Sequence, residues 1–390
     1  MSIVQTGLKH LLYGDIVERL PRFCLERWQS MHETTSRILL SESGLEPLSI
    51  RQIEKLGVNI GDLKQLPLGY GWTRGSPGLR EAITSLYRSD LDIDNVVVAN
   101  GSAEANYAGI MSMASRGEKI VVDIPTYMQV PGLLKWMGAQ TIKLRRKPPN
   151  WEFPLDKAVH IIEEEKPNLV FITDPNNPTG KYIQKRELEE LINTAEKNNV
   201  KLFFDEVYWG SEQKDHRPSA IELGDTGTVT VVHGLSKVYG LPGLRIGWII
   251  TDKNHVERAW SIKDYTTIAP SIMSDYVASR VLSNEDAVQA LRERARRIVR
   301  ENVETMKNAV KQLGEAVIPY WPEAGAFQLL GVGNKDTLEL SIELYQRYGI
   351  LVNPGECFEL PGYIRIGLGA DPGRFKEEIG ELVKALSSLL

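Results

Sequence analysis

The sequence predicts an α/β fold: a mainly parallel β-sheet with helices on both faces, joined to a smaller α+β domain. Three observations predict it. Short apolar segments alternate with helix-patterned segments between about residues 95 and 236. Those segments are apolar on both faces, as strands buried between two layers of helices must be. From about residue 275 the alternation stops, and a long charged helix and short strands follow.

The elements can be justified in order. Residues 8–30 alternate apolar and charged positions at helical spacing and predict a starting helix. "SESGLEPLSI" (41–50) is turn-rich and extended. "SPGLREAITSLYRSD" (76–90) is a helix opened by Ser76 as cap and Pro77 in the first turn. "NVVVANGS" (95–102) is a β-branched strand ending in a small-residue turn, and "AEANYAGIMSMAS" is the helix after it. "KIVVDIPTY" (119–127), "QTIKL" and "NLVFITDPNNPTG" (168–180) are strands separated by the helices "MQVPGLLKWMG" and "LDKAVHIIEEE". After the helix "KRELEELINTAEKNN" come two more strand-to-loop passages, "VKLFFDEVYWG" (200–210) and "VTVVHGLS" (229–236). The later part reads as the long helix "NEDAVQALRERARRIVRENVETMKNAVKQLG", three short strands in "GAFQLLGV", "ILVNP" and "GYIRIGL", and a closing amphipathic helix. This divides the chain into a large domain over 49–274 and a smaller one from 1–48 and 275–390.

Composition bounds the function. With 390 residues, 42% hydrophobic and 25% charged, the chain has the balance of a folded protein of two domains. A formal charge of -5 argues against nucleic acid as a partner. The two cysteines, Cys24 and Cys357, make neither a disulfide framework nor a zinc-ligand spacing, which fits a reduced, cytoplasmic compartment. No window reaches the roughly 18 apolar residues of a membrane span, and the N-terminus lacks a secretory pattern.

The polar residues of interest follow the C-terminal ends of strands, where open α/β sheets bind ligands. Gly101, Ser102 and Ala103 open a helix, where backbone N–H groups can hold an anion or merely make a turn. Asp205 ends an apolar strand, with Tyr208 three residues on. A carboxylate there needs a cation or a structural hydrogen bond. "TDPNNPTG" is a rigid turn carrying Asn177, and Tyr127 in "IPTY" suits a core or an interface equally. In "HGLSKVYGLPGLRIGW" (233–248) Lys237 follows Ser236 among glycines, and the next charge is Arg245.

Taken in order, "YGWTRGSPGLREAI", "NGSAEA", "PTY", "DPNNPTG", "FFDEVY", "LSKVYGLPGLRIGW" and "YIRIGLG" resemble the fold-type I pyridoxal-phosphate enzymes, and among them the class I/II aminotransferases. The resemblance runs from about Leu40 to the C-terminus. It implies that Lys237 is the Schiff-base lysine and that Arg245, with Gly101, Ser102, Ala103 and Ser236, holds the cofactor phosphate. It implies that Asp205 pairs with the pyridine nitrogen, that Tyr208 and Asn177 bond the ring's phenolic oxygen, and that Tyr127 stacks on the ring. Arg365 matches the arginine that grips the substrate α-carboxylate, and Asn177 and Gly44 fall beside it. Tyr70 matches a tyrosine that reaches a partner subunit's phosphate, so a homodimer with shared active sites is implied.

The implied reaction is transfer of an amino group from an L-amino acid to a 2-oxo acid, with Lys237, Asp205 and Tyr208 catalytic. Two features depart from the pattern. Gly234 stands where many relatives have a phosphate-contacting serine, so that contact is either missing or supplied by His233, Ser236 or water. "SESGLEPLSI" is unlike the common segment beside the substrate and leaves open a C–S β-lyase or a capreomycidine-synthase-like cyclase. A non-catalytic regulator of this fold would need a DNA-binding module, for which the first 40 residues show no basic pattern. Trp72, Tyr13 and Trp209 are candidates for an apolar substrate wall and equally for core or interface.

Overall fold

The computed structural model of the chain describes residue 12 and residues 15–17, 20–214 and 217–390. Its N-terminal part departs from the expected helix over 8–30. Residues 8–11 lie outside the described residues. Leu12 is helical, Asp15–Val17 (β1) and Leu20–Pro21 (β2) pair antiparallel, and the next described helix runs from Cys24 to His32 (α1). Pro21 is the physical reason. Proline has no N–H to give a helix and biases the residue before it towards extended backbone. After Ile38–Leu39 (β3), residues 40–49 run irregularly to Ile50–Glu54 (α2), whose cap Ser49 forms a reciprocal capping box with Gln52. Pro77–Thr84 (α3) starts as expected, with Ser76 accepting from the Leu79 N–H.

The alternating region forms Val96–Ala99 (β4), Ser102–Met113 (α4), Lys119–Ile124 (β5), Gln129–Met137 (α5), Gln140–Arg145 (β6) and Leu155–Glu165 (α6). It continues through Leu169–Thr173 (β7), Lys185–Lys197 (α7), Lys201–Asp205 (β8) and Val229–Gly234 (β9). One strand was not anticipated: Gly247–Ile250 (β10). The seven strands lie in the order β4-β10-β9-β8-β7-β5-β6. Strands β5 to β9 are mutually parallel, and β10 runs antiparallel between β9 and β4. All residues of β4, β7, β9 and β10 are buried. Successive side chains feed opposite cores. Val98, Phe204, Val231 and Trp248 pack on one face; Ala99, Phe203, Val232 and Ile249 pack on the other.

The remainder comprises Lys253–Lys263 (α8), Ile272–Leu282 (α9), the long Glu285–Leu313 (α10), Ile318–Tyr320 (β11), Phe327–Gly331 (β12), Thr337–Tyr348 (α11), Ile350–Leu351 (β13), Asn353–Pro354 (β14), Tyr363–Gly367 (β15) and Pro372–Leu389 (α12). A second sheet orders β11-β12-β15-β14, all antiparallel. The N-terminal segment is tied to this part. β3 pairs with β13, the Trp28 Nε1–H donates to the Val352 carbonyl at 2.8 Å, and Cys24 is disulfide-bonded to Cys357. That bond corrects the reading of the two cysteines as unpaired and withdraws their count as an argument for a reduced compartment. Cysteines 333 residues apart give no local spacing signal. Among the described residues no helix is long and apolar enough to cross a membrane.

At Gly247 a side chain has no space: its Cβ would stand 2.4 Å from the Ser102 nitrogen and 2.5 Å from the Gly101 carbonyl carbon. Backbone atoms cannot rotate away, so Gly247→Ala should cost about 1–3 kcal/mol. Urea unfolding should show it as a lower midpoint.

Candidate active site

At the edge where the parallel strands end, a cavity of ≈ 330 Å³ opens. It brings together ten of the sequence-selected residues: Ser102, Ala103, Tyr127, Asn177, Asp205, Tyr208, Ser236, Lys237, Arg245 and Arg365. Gly101 lies directly against Arg245, and Gly44 against Lys237.

One end is an anion cradle. Gly101 caps α4 with φ 85°, and a Cβ there would meet Arg245 Nη2 at 2.2 Å, so only glycine fits. The first N–H groups of α4 have no carbonyl of their own helix to bond, and they carry its positive dipole end. Arg245 is held loosely, at 3.4 Å from Ser236 Oγ, 3.4 Å from the Pro242 carbonyl and 3.5 Å from the Asn100 carbonyl. Those distances are at the outer limit of hydrogen bonding, so its fork is available to a ligand.

Gly234 has a steric cause. A Cβ there would stand 2.9 Å from the Ile246 carbonyl oxygen and 3.1 Å from Gly247 Cα. Ser236 and Ser102 line the cavity instead. His233 does not. Its ring is fully buried among Trp209, Tyr239 and Trp248, and burial, then the nearby Arg292, drives its pKa down to about 3. It is a neutral packing residue, which removes it as a phosphate contact.

Asp205 ends β8 in the middle of the sheet. Burial pushes its pKa up to about 6, against the pull of Asn106, the Val207 N–H and Lys237. Asn106 Nδ2 donates to it at 2.7 Å and the Val207 N–H at 3.2 Å. Sequence reading missed Asn106. The available signal was its position four residues after Ser102, on the same face of α4 as the cradle. Lys237 Nζ donates to Ser43 Oγ at 2.9 Å, another residue not singled out.

Arg365 is 1% exposed. Its Nη1 donates to Asn177 Oδ1 at 2.8 Å and its Nη2 to the Ser41 carbonyl at 2.8 Å, while its Nε has no protein partner. Asn177 Nδ2 also reaches Tyr208 Oη at 3.4 Å. The Tyr127 hydroxyl donates to Glu26 Oε1 at 2.6 Å, and burial, then Glu26, holds its pKa well above the ordinary phenol value. Three selected aromatics are not brought to the cavity. Tyr70 and Trp72 are exposed. Trp209 is core, stacked on Tyr87 and covered by the Arg292 guanidinium. Tyr13 lies outside the described residues.

Comparison with known proteins places this geometry. Residues 53–386 match the family described as aminotransferase class I and II. The chain belongs to that family. The capreomycidine synthase of Streptomyces vinaceus is 28% identical over 355 residues, 90% of each chain. The aspartate aminotransferase of Thermotoga maritima is 25% identical over 315 residues, 80% of each. A crystal structure of a pyridoxal-phosphate-dependent aminotransferase from Streptococcus suis superposes with a TM-score of 0.87 at 28% identity, covering 95% of this chain and 98% of that one.

As a class I/II aminotransferase the protein is a pyridoxal-phosphate-dependent enzyme. The residues present fit that cofactor. A buried carboxylate with no hydrogen-bonded cation suits a protonated ring nitrogen. A glycine-capped helix start beside a loosely held arginine suits a phosphate, and a primary amine between them suits an aldehyde.

The Asp205 shift has a testable sign. Folded Asp205 keeps its proton to a higher pH than the unfolded chain does. The cofactor-free protein therefore loses stability as pH rises from the ordinary value of 3.8 through about 6. Asp205→Asn cannot ionise and should escape that loss. It should be more stable than wild type by about 3 kcal/mol at about pH 8 and about equal near pH 4, measured by urea unfolding of cofactor-free protein.

Proposed function

We propose that this enzyme moves the amino group of an L-amino acid to a 2-oxo acid, with Lys237 as both covalent anchor and proton carrier. The observation that supports it most is the convergence of Asp205, of Lys237 and Arg245 eight residues apart, and of Arg365, from three separate chain segments, on one cavity. Pyridoxal phosphate, when bound, supplies an electron sink for the negative charge left at the substrate Cα.

The chain's residues divide the remaining work. Arg245, Ser236 and the N–H groups of Gly101, Ser102 and Ala103 hold the phosphate. Asp205, oriented by Asn106 and the Val207 N–H, would accept a hydrogen bond from the protonated ring nitrogen and so keep that nitrogen charged. Tyr208 and Asn177 donate to the ring's phenolic oxygen, and Tyr127 covers one ring face. Arg365 and Asn177 bind the substrate carboxylate in a bidentate grip. Gly44 leaves room for the Lys237 stem, whose Cδ would lie 3.8 Å from a Cβ there. The Lys237 amine, held by Ser43 until released, takes the proton from the substrate Cα. A homodimer completes the site: Tyr70 is 89% exposed beside exposed Leu68 and Trp72, a surface suited to a second copy. Residues 49–274 form the cofactor domain in this reading, and 1–48 with 275–390 the smaller one.

A second reading, a cyclase or lyase of the same fold, is favoured by one observation. The match to capreomycidine synthase covers more of both chains, at higher identity, than the match to the Thermotoga maritima aspartate aminotransferase. The first turnover separates the readings. With purified enzyme, an amino acid and no oxo acid, transamination should release one equivalent of oxo acid and stop. Continuous ammonia release, or a cyclised product, would select the second reading. Lys237→Ala should lose the covalently bound cofactor's visible absorbance and at least about 10²–10⁴-fold in rate. Arg365→Lys should raise KM for the amino acid more than it lowers kcat.

A further inference from the structure

The cavity's charged lining is unevenly used. Its cations are Lys237, Arg245 and Arg365. In the reading above, which this inference rests on, the first two serve the cofactor and the third the substrate carboxylate. Asp205 is matched by the ring nitrogen. Three carboxylates remain on the same lining: Glu26, Glu33 and Glu42.

Their placement is built by the fold. Glu26, Gln29 and Glu33 follow at i, i+3 and i+7 from α1 into its C-cap, so they share one helix face, and all three line the cavity. Gln29 Nε2 donates to the Ser41 carbonyl at 3.0 Å, which ties this face to the segment carrying Glu42 and Ser43. Among the described residues none of the three carboxylates forms an ion pair. They sense one another: burial, then Glu42 and Glu26, raises the Glu33 pKa.

A second observation gives the polarity of the ligand. Arg365, wholly buried on the same lining with its Nε unpartnered among the described residues, is a built donor for a carboxylate. A dicarboxylic amino acid would fill it and then bring a second negative charge among three others. Like charges at such range disfavour each other. An amino acid with an ammonium or guanidinium on its side chain satisfies both ends.

We propose that the amino-acid substrate carries a cationic side chain, bound by Glu26, Glu33 and Glu42 while Arg365 holds its carboxylate.

The test uses cofactor-loaded wild-type enzyme, with pyruvate and 2-oxoglutarate present as amino-group acceptors, and L-lysine, L-ornithine and L-arginine, their uncharged counterparts L-norleucine and L-citrulline, and L-aspartate and L-glutamate. Consumption is followed by mass spectrometry, so any outcome at Cα is counted. The cationic amino acids should exceed the uncharged and acidic ones in kcat/KM by about tenfold or more. In Glu33→Gln and Glu42→Gln the ratio of kcat/KM for L-lysine over L-norleucine should fall by about two- to fivefold each, with cofactor absorbance retained. A preference for L-aspartate or L-glutamate, or a lysine-to-norleucine ratio untouched by both substitutions, would overturn the inference. If no amino acid alters the cofactor absorbance, the reading of the whole site falls with it; if only neutral or acidic ones do, the cationic inference alone falls.

Discussion

A carboxylate at the end of a fully buried strand constrains everything around it. Asp205 sits between Thr173 of β7 and Val232 of β9, at the centre of the sheet. Its desolvation cannot be relieved from within the sheet, where side chains are apolar. Relief comes from one amide, one backbone N–H and the nearby charge of Lys237, and these leave the carboxyl above its ordinary range. The next residue, Glu206, points the other way, as strand geometry requires. Burial raises its pKa to about 7, and Arg217, Ser219 and the Ala220 N–H bind it. Arg217 also bonds Asp174. Two adjacent acids therefore have opposite duties. Glu206 is satisfied internally and locks the 174–177 turn to the 205–208 turn. Asp205 is left short of a partner on the cavity side.

The sheet supplies the rest by register. Ala99 and Gly234 both face Gly247, so the anion cradle after β4 and the Lys237 turn after β9 are brought to either side of β10. Strands lie about 4.8 Å apart, so this order sets the spacing of cradle, lysine and carboxylate. Gly247 and Gly234 then permit the approach: a side chain at either would strike backbone of the neighbouring segment.

This explains what the sequence made legible. Buried parallel strands are continuous apolar runs, so "VVVA", "LVFIT" and "KLFFD" announce themselves, and the polar residues after them mark the binding edge. The cofactor residues sit within a few positions of those ends, so local motifs carry them. β10 was hidden because "GWII" follows a glycine-rich turn at once and is short. The 8–30 pattern misled because periodicity was weighed above Pro21, which breaks it. Ser43, Glu26 and the Cys24–Cys357 bond were invisible for another reason: each acts across 101 or more residues, and nothing local encodes such a partner.

The same contrast separates the two halves of the site. The cofactor half rests on strand ends whose spacing the hydrogen-bonded ladder fixes. The substrate half rests on α1, residues 41–44 and Arg365, and these are stitched together by other means. Arg365 and Asn353 both donate to the Ser41 carbonyl, the Gly367 N–H donates to the Leu40 carbonyl, and Trp28 and Cys24 anchor α1 to residues 352 and 357. This stitching uses mostly backbone carbonyls, so it holds the segment in place while leaving outward side chains such as Glu42 free to differ. Side chains at positions 26, 33 and 42 can thus change without moving the lysine, the cradle or Asp205. That is why the resemblance is sharp along the strand ends and fades at "SESGLEPLSI": one half is held by geometry that few residues satisfy, and the other by contacts that many side chains can overlie.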